Sequence, residues 1–330
     1  MPATKPSTAA STVAISVVLP TRGRMDLLDR CLDALTRQSL PGTLYEVIIV
    51  DDEPDHNTLH LVAGWRARTL ERGPQLIYLP NSNQHGPAAA RNLGWRSARG
   101  PIIAFTDDET VPTPGWLAQG LAALTDSVDV LCGQLETHPA ARTGQDGQHA
   151  HLFSLANCFC RKTLLEQLDG FDERFEEAAH GDADLHFRLL ARGARIVHAP
   201  EARVVLPVQP TRWGASLART RERVFDALLY KKHPQLYRER IAAAPPWDDF
   251  LVVASLVVLL GALLAGRGGL ALFAGLVWLM LTARLCRQRL RGITPGFAHV
   301  ADVIVTSALI PPLAVFWRLL GAIRYRVRFS

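Results

Sequence analysis

Residues 102–109 read Ile-Ile-Ala-Phe-Thr-Asp-Asp-Glu, and residues 47–53 read Val-Ile-Ile-Val-Asp-Asp-Glu. In each, a short apolar run ends abruptly in acids. An unbroken apolar run of this length suits a strand buried on both faces, as in a parallel sheet. Working outward, Val13–Leu19 gives a first strand ended by Pro20, Tyr45–Val50 a second, Leu76–Leu79 a third and Ile102–Phe105 a fourth. Between them, Asp26–Gln38, residues 57–71 and Ala88–Ala98 carry apolar positions at helical spacing, with Pro41-Gly42 punctuating the first. Strand and helix alternating at this interval predict an α/β domain with a mostly parallel, Rossmann-like sheet. Past residue 111 the pattern loosens. Trp116–Leu124, Thr163–Leu168 and Asp184–Arg192 read as helices, Val128–Leu131 and Val204–Leu206 as strands, and 137–150 as a polar loop.

The composition excludes several classes. Of 330 residues 48% are hydrophobic, too many for a disordered chain, and five cysteines without a CxxC pair exclude a disulfide scaffold. The thiols are expected reduced, as in the cytosol. Residues 1–12 read as a flexible tail without the apolar core of a secretory signal. The net charge of +5 is unevenly spread: from Phe250 onward there are nine Arg, no Lys and one acid, whereas residues 1–249 hold 27 bases against 30 acids. A slightly acidic body with a basic, apolar tail points to a membrane and away from nucleic acid.

The tail carries sixteen apolar or small residues at 250–265, a Gly-Arg-Gly-Gly interruption, and a second apolar run to 283. These predict a transmembrane hairpin over 250–284. A third apolar stretch within 298–320 contains Pro311-Pro312 and is expected to be re-entrant or interfacial. The Arg clusters after the hairpin and at the chain end then lie on the cytosolic side. Residues 211–249 predict an amphipathic helix on an anionic membrane surface plus a linker, or equally a helix packed on the body.

Ligands of open α/β sheets bind beyond the carboxyl ends of the strands, where both acidic triplets sit. Carboxylates gathered there call for a hard cation, Mg²⁺ or Mn²⁺. The small residues Gly86-Pro87-Ala88-Ala89-Ala90 before Arg91 open a helix whose N-terminus favours an anionic group. Further on, Asp182 and Asp184 offer a general base or a helix cap.

Six segments in register carry a resemblance: ISVVLPTRGR, VIIVDDE, NQHGPAAARNLGW, IIAFTDDETVPTPGWL, GFDERF and GDADLHFRL. Over residues 13–210 the chain resembles the family 2 inverting glycosyltransferases of GT-A fold, of the membrane-anchored bacterial type. The resemblance implies that Pro20, Thr21 and Arg22 lie beside the nucleotide base. It places Asp51, Asp52, Arg91, Asp107 and Asp108 at the donor nucleotide and Asp107 with Glu109 at the metal. It makes Asp182 the catalytic base, with Asp184 and Arg188 supporting the loop. Glu109 stands where the family's metal motif ends in Asp, and Gly181 replaces the Glu of its Glu-Asp pair. Leu206-Pro207 stands where many relatives carry a metal-binding His, for which His180 or His198 are substitutes.

The implied function is metal-dependent transfer of a sugar from a nucleotide-sugar donor, UDP-linked in the first instance, to a lipid-linked or glycan acceptor. The implied place is the cytosolic face of the cytoplasmic membrane. Two alternatives stand beside it. Gln209-Pro210-Thr211-Arg212-Trp213 matches the QxxRW pattern of processive polysaccharide synthases, and Gly181 with Glu109 would suit a degenerate sugar-nucleotide scaffold.

Overall fold

The computed structural model describes residues 13–82, 85–137, 153–207, 213–242, 246–290 and 297–328. The described residues divide into two compact units, one within 13–207 and the other within 213–328.

The first unit is a three-layer α/β structure. Its early elements are β1 (Ile15–Thr21), α1 (Met25–Thr36), β2 (Tyr45–Asp51), α2 (His56–Thr69), β3 (Gln75–Pro80), α3 (Pro87–Ser97) and β4 (Ile102–Thr106). There follow β5 (Val111–Pro112), α4 (Trp116–Ala123), β6 (Val130–Thr137), β7 (Asn157–Arg161), α5 (Lys162–Leu168), α6 (Ala178–Ala191) and β8 (Ile196–Leu206). The sheet order is β3-β2-β1-β4-β7-β6-β8-β5. Alternate residues of the central strands feed two cores. Ile15, Val17 and Leu19 join Leu28, Leu32, Leu35 and Trp116 on one face. Val18, Ile48 and Val50 join Ala90, Trp95, Leu185 and Leu189 on the other.

The sheet is parallel across β3, β2, β1 and β4, as the apolar runs predict. It is mixed beyond that point. Strand β7 runs antiparallel to both β4 and β6, and β5 antiparallel to β8, while β6 and β8 are parallel. Strand β7 escapes a sequence reading because Asn-Cys-Phe-Cys-Arg is short and only its centre is bulky. Its polar Asn157 is satisfied by tertiary partners instead, accepting from Trp116 Nε1 and donating to the carbonyls of Gln134 and Ala202.

The topology creates the ligand end of the sheet. From β1 the chain moves one way to β2 and β3, then crosses back to place β4 on the other side of β1. The ladder of β1 with β4 stops at Val18–Phe105, whereas its ladder with β2 continues to Thr21–Asp51. Pro20, which has no N–H to give, therefore sits where the β4 side is already open. This is the switch point between β1 and β4, the general location of ligands in such sheets.

Helix α3 lies close on the sheet because Gly94 faces it. A Cβ there would overlap Val18 Cγ1, with Val50 Cγ2 at 3.2 Å. Gly94→Ala is expected to cost about 1–3 kcal/mol through overpacking, read as a lower Tm of the full chain in detergent.

The second unit is helical. Where the sequence suggests one amphipathic helix, the described residues form α7 (Ala215–Arg219), a 3₁₀ stretch at Thr220–Phe225, α8 (Asp226–Lys232) and α9 (Pro234–Arg240). Its apolar residues Val224, Phe225, Leu228 and Leu229 are buried, and Pro234 restarts the chain as a separate helix. Then come α10 (Trp247–Leu264), α11 (Gly268–Leu290) and α12 (Phe297–Tyr325), each long and apolar enough to cross a membrane. The 3₁₀ stretch packs against α12, where Gly321 admits the Val224 backbone. Pro311 and Pro312 sit inside α12 without reversing it, so the re-entrant turn read from that pair is not formed. Adjacent prolines leave the i−4 carbonyls unpaired, which bends but does not oblige a helix to end. The QxxRW letters at 209–213 fall, except for an exposed Trp213, outside the described residues.

Candidate active site

The acids after β2 hold local structure. Asp51 is fully buried and accepts from Tyr78 Oη at 2.8 Å and from the N–H groups of Glu53 and Asp55. Burial raises its pKa, opposed by these bonds. Asp52 accepts from Asn81 Nδ2 at 2.8 Å and, with both oxygens, from Gly86 N–H at 2.9 and 3.0 Å. Its own carbonyl bonds His85 Nδ1 at 2.6 Å. Gly86 has φ of 118°, and a Cβ there would lie 2.9 Å from the Glu176 carbonyl oxygen. Asp52 thus pins the entry to α3. Asp52→Ala is expected to speed hydrogen exchange at the Gly86 amide and to cost about 1–3 kcal/mol, the cost of a buried donor left unpaired.

Strand β1 ends opposite β4. Thr21 Oγ1 donates to Asp108 Oδ2 at 2.8 Å. Arg24, carried back by a turn in which Gly23 has φ of 61°, contacts Asp108 Oδ1 at 2.6 Å and Glu109 Oε2 at 3.2 Å. Burial pushes the Asp108 pKa up to about 6, against the pull of Arg24 and Thr21. Arg22 points instead to Glu53, at 2.9 Å, and both are exposed. Arg24 is a site residue the sequence reading missed; its signal was a second Arg three residues beyond the strand end, after a turn glycine.

The third group joins three elements. Arg91 on α3 is 4% exposed; its Nη2 lies 2.9 Å from Asp107 Oδ1 after β4, and its Nη1 lies 3.8 Å from Asp182 Oδ1 on α6. Burial works against the Arg91 charge, but Asp107 and Asp182 outweigh it and hold the guanidinium ionised. Asp182 accepts from the Leu155 N–H at 3.2 Å with Oδ2, while Oδ1 has no hydrogen-bond donor. Loss of hydration pushes its pKa up to about 6; Arg91 opposes this and Asp107 adds to it. Helix α6 begins at Ala178, before the expected Asp184, so Asp182 projects from within the helix and is not its cap.

Asp184 and Arg188 brace the preceding loop. Arg188 bonds Asp184 at 2.9 Å and the carbonyls of Leu168 and Gly170. Asn92, also missed from sequence, ties that loop to α3 by bonding both backbone groups of Phe171. The structure therefore brings Asp107, Arg91 and Asp182 together, and Thr21, Arg24, Asp108 and Glu109 beside one another. Asp51 and Asp52 serve the loops after β2.

A divalent cation is implied by this type of sheet end. Among the described residues no three His, Cys, Asp or Glu side chains converge as a ready-made cage. His198 lies on β8 with Nε2 at 3.3 Å from Gln134 Oε1. Ions of the Mg²⁺ type need only one or two carboxylates, because phosphate oxygens and water complete the shell. Asp107 keeps one oxygen outside its pair with Arg91 and a quarter of its side chain exposed, and Glu109 is also accessible. These donors fit such an ion.

The model of glycosyl transferase family 2 matches residues 16–181, just over half of the chain. The chain belongs to that family. Among known relatives, glycosyltransferase AglE of Haloferax volcanii is 31% identical over 135 residues, covering 40% of this chain and 43% of that protein. A poly(ribitol-phosphate) beta-glucosyltransferase of Bacillus spizizenii is 31% identical over 124 residues, 37% of this chain and 19% of that protein. The match thus spans less than half the length of either relative. Among solved structures, mannosyltransferase PcManGT of Pyrobaculum calidifontis, in complex with GDP-Man and Mn²⁺, aligns with a TM-score of 0.56 at 20% identity, covering 94% of this chain and 86% of that one. The fold is of the GT-A type.

Proposed function

We propose that the protein is an inverting glycosyltransferase that moves a sugar from a nucleotide-sugar donor to a hydroxyl of a lipid-linked or glycan acceptor. The observation that carries this is Arg91 set between Asp107 and Asp182 beside the β1–β4 switch point. In this reading Asp182 removes the proton of the acceptor hydroxyl as that oxygen attacks the anomeric carbon from the face opposite the leaving diphosphate. The part of its carboxylate that stays exposed, about a quarter of the side chain, is where the acceptor hydroxyl would approach. Leu155 N–H and Arg91 fix its orientation, and a pKa near 6 leaves it ionised at neutral pH yet basic enough to take a proton.

Pro20, Thr21 and Arg22 line the nucleotide end, with Asp51, Asp52 and Asp108 shaping the loops around it. Asp107 and Glu109 would hold a divalent ion, Mg²⁺ or Mn²⁺, which when bound neutralises charge on the departing diphosphate. Three apolar helices on the same chain support action at a membrane; that the catalytic unit works on the cytosolic side is part of the proposal. The relatives act with different sugars, and the PcManGT structure holds GDP-Man, so the donor base is decided by experiment.

The test is thermal stabilisation of the full chain by UDP-, GDP- and dTDP-sugars with Mn²⁺, followed by transfer assays. A ligand specific to the folded state raises stability by RT ln(1 + [L]/Kd), about 2.7 kcal/mol at a hundredfold excess over Kd. One sugar nucleotide is expected to stabilise the protein, and EDTA to remove both that effect and transfer. Stabilisation by none of them would refute the reading.

A further inference from the structure

Arg289, near the end of α11, is held by hydroxyls alone. Its Nη1 donates to Thr306 Oγ1 at 2.8 Å and Ser307 Oγ at 3.0 Å, and its Nη2 to Ser216 Oγ at 3.1 Å. Thr306 and Ser307 are fully buried on α12, and Ser216 lies on α7. Among the described residues no carboxylate lies within ion-pair distance of this guanidinium, and Asp302 favours its charge from further off. The one acid of residues 250–330, Asp302, is engaged by the Gly214 N–H at 2.8 Å. Other arginines of the unit do face carboxylates: Arg318 lies 3.7 Å from Asp226, Arg284 3.8 Å from Asp248, and Arg223 3.9 Å from Asp249.

Hydroxyl dipoles orient a guanidinium without neutralising it; Asp302 attracts it only from beyond ion-pair distance, so no acid contacts this partly buried charge directly. The three bonds use three of five N–H donors. Nε–H and one Nη2–H remain, donors of the kind with which a guanidinium grips a phosphate. Arg289 also stands at the polar end of a 23-residue helix whose apolar side chains Leu276, Leu279 and Met280 are exposed, as are Ile304, Val305 and Leu309 of α12. A soluble anion would have no use for those surfaces, whereas acyl chains would lie along them.

We propose that Arg289, with Ser216, Thr306 and Ser307, forms a binding site for the phosphate of a phosphorylated lipid headgroup. The site is independent of the glycosyl-transfer reading. Basic positions between membrane helices at the headgroup level are suited to anionic lipids. The oriented fork adds geometric selectivity that bulk charge does not.

The test uses the full-length protein in phosphatidylcholine nanodiscs with and without phosphatidic acid, and separately inorganic phosphate. Binding of phosphatidic acid by native mass spectrometry is expected to be saturable. It is expected to weaken about tenfold in Arg289→Lys, which keeps the charge but loses the fork, and about twofold to threefold in Ser216→Ala. Arg287→Lys, an exposed neighbour, should bind as the wild type does, and inorganic phosphate should bind far more weakly than the lipid. Unchanged binding in both Arg289→Lys and Ser216→Ala overturns the proposal, as does phosphate binding as tightly as the lipid. Should Arg289→Lys fail to fold, Ser216→Ala decides alone.

Discussion

Asp182→Asn is expected to lower sugar transfer by about 10²–10⁴-fold, the range for loss of a positioned general base, while nucleotide binding is retained. Asn is close to Asp in size, keeps an oxygen for the Leu155 N–H, and cannot accept the acceptor's proton. Wild-type kcat/KM should rise with pH through about 6, as Asp182 ionises, and that limb should vanish from any residual activity of the variant. Stability supplies a second readout. The folded pKa of Asp182 stands at about 6 against 3.8 for the free side chain, so the folded state holds this proton more tightly than the unfolded one. Its contribution to wild-type stability therefore falls as pH rises from about 4 to 6 and stays low above that. Asp182→Asn has no such proton, so its stability relative to wild type should improve over that window, by up to about 3 kcal/mol for a shift of this size. A relative stability flat with pH would show that Asp182 is hydrated and unperturbed. Transfer at the wild-type rate would remove it from the chemistry.

Arg91→Met should have the largest effect on the fold. Arg91 is buried between two carboxylates, and its removal leaves Asp107 and Asp182 facing each other without a cation. Breaking a buried pair by deleting one partner costs about 3–5 kcal/mol. The pH dependence gives the sign independently of stability. Arg91 pulls the Asp182 pKa down, so without it the pKa rises and the alkaline-going limb of kcat/KM moves above pH 6. Arg91→Lys, which keeps a charge but not the planar fork, should fall between the two in Tm and shift the limb less. An acid limb left in place in Arg91→Met would mean that the pair at 3.8 Å carries no electrostatic weight.

Much of this site is legible in the sequence because its carriers lie directly after buried strands. Apolar runs ending at Thr21, Asp51 and Asp107 announce where the sheet exposes its carboxyl ends, since only a strand covered on both faces tolerates such composition. Arg91 follows from a small-residue helix start. What the letters do not show is which acids are spent. Asp51 and Asp52 look like twins of Asp107 and Asp108, yet Asp52 is consumed by Gly86 and Asn81, partners 34 and 29 residues away. Arg24 looks like a surface turn residue, but it neutralises two acids more than eighty residues later. These pairings depend on loop geometry, and loops have no periodicity to read.

The membrane region shows the same division. Length and apolarity define three candidate spans, but two prolines in the third read as a break. A helix bordered by other helices can keep its course through unpaired carbonyls, so packing overrides the local rule.

By itself the sequence determined the alternating α/β architecture, the acidic strand ends and the apolar tail, because burial on one or two faces writes its period directly into residue order. The tertiary structure decided the direction of β7, the sharing of Arg91 between Asp107 and Asp182, and the hydroxyl-held fork of Arg289. Each is a contact between residues far apart in the chain, fixed by how the elements cross, and nothing local in either partner announces the other.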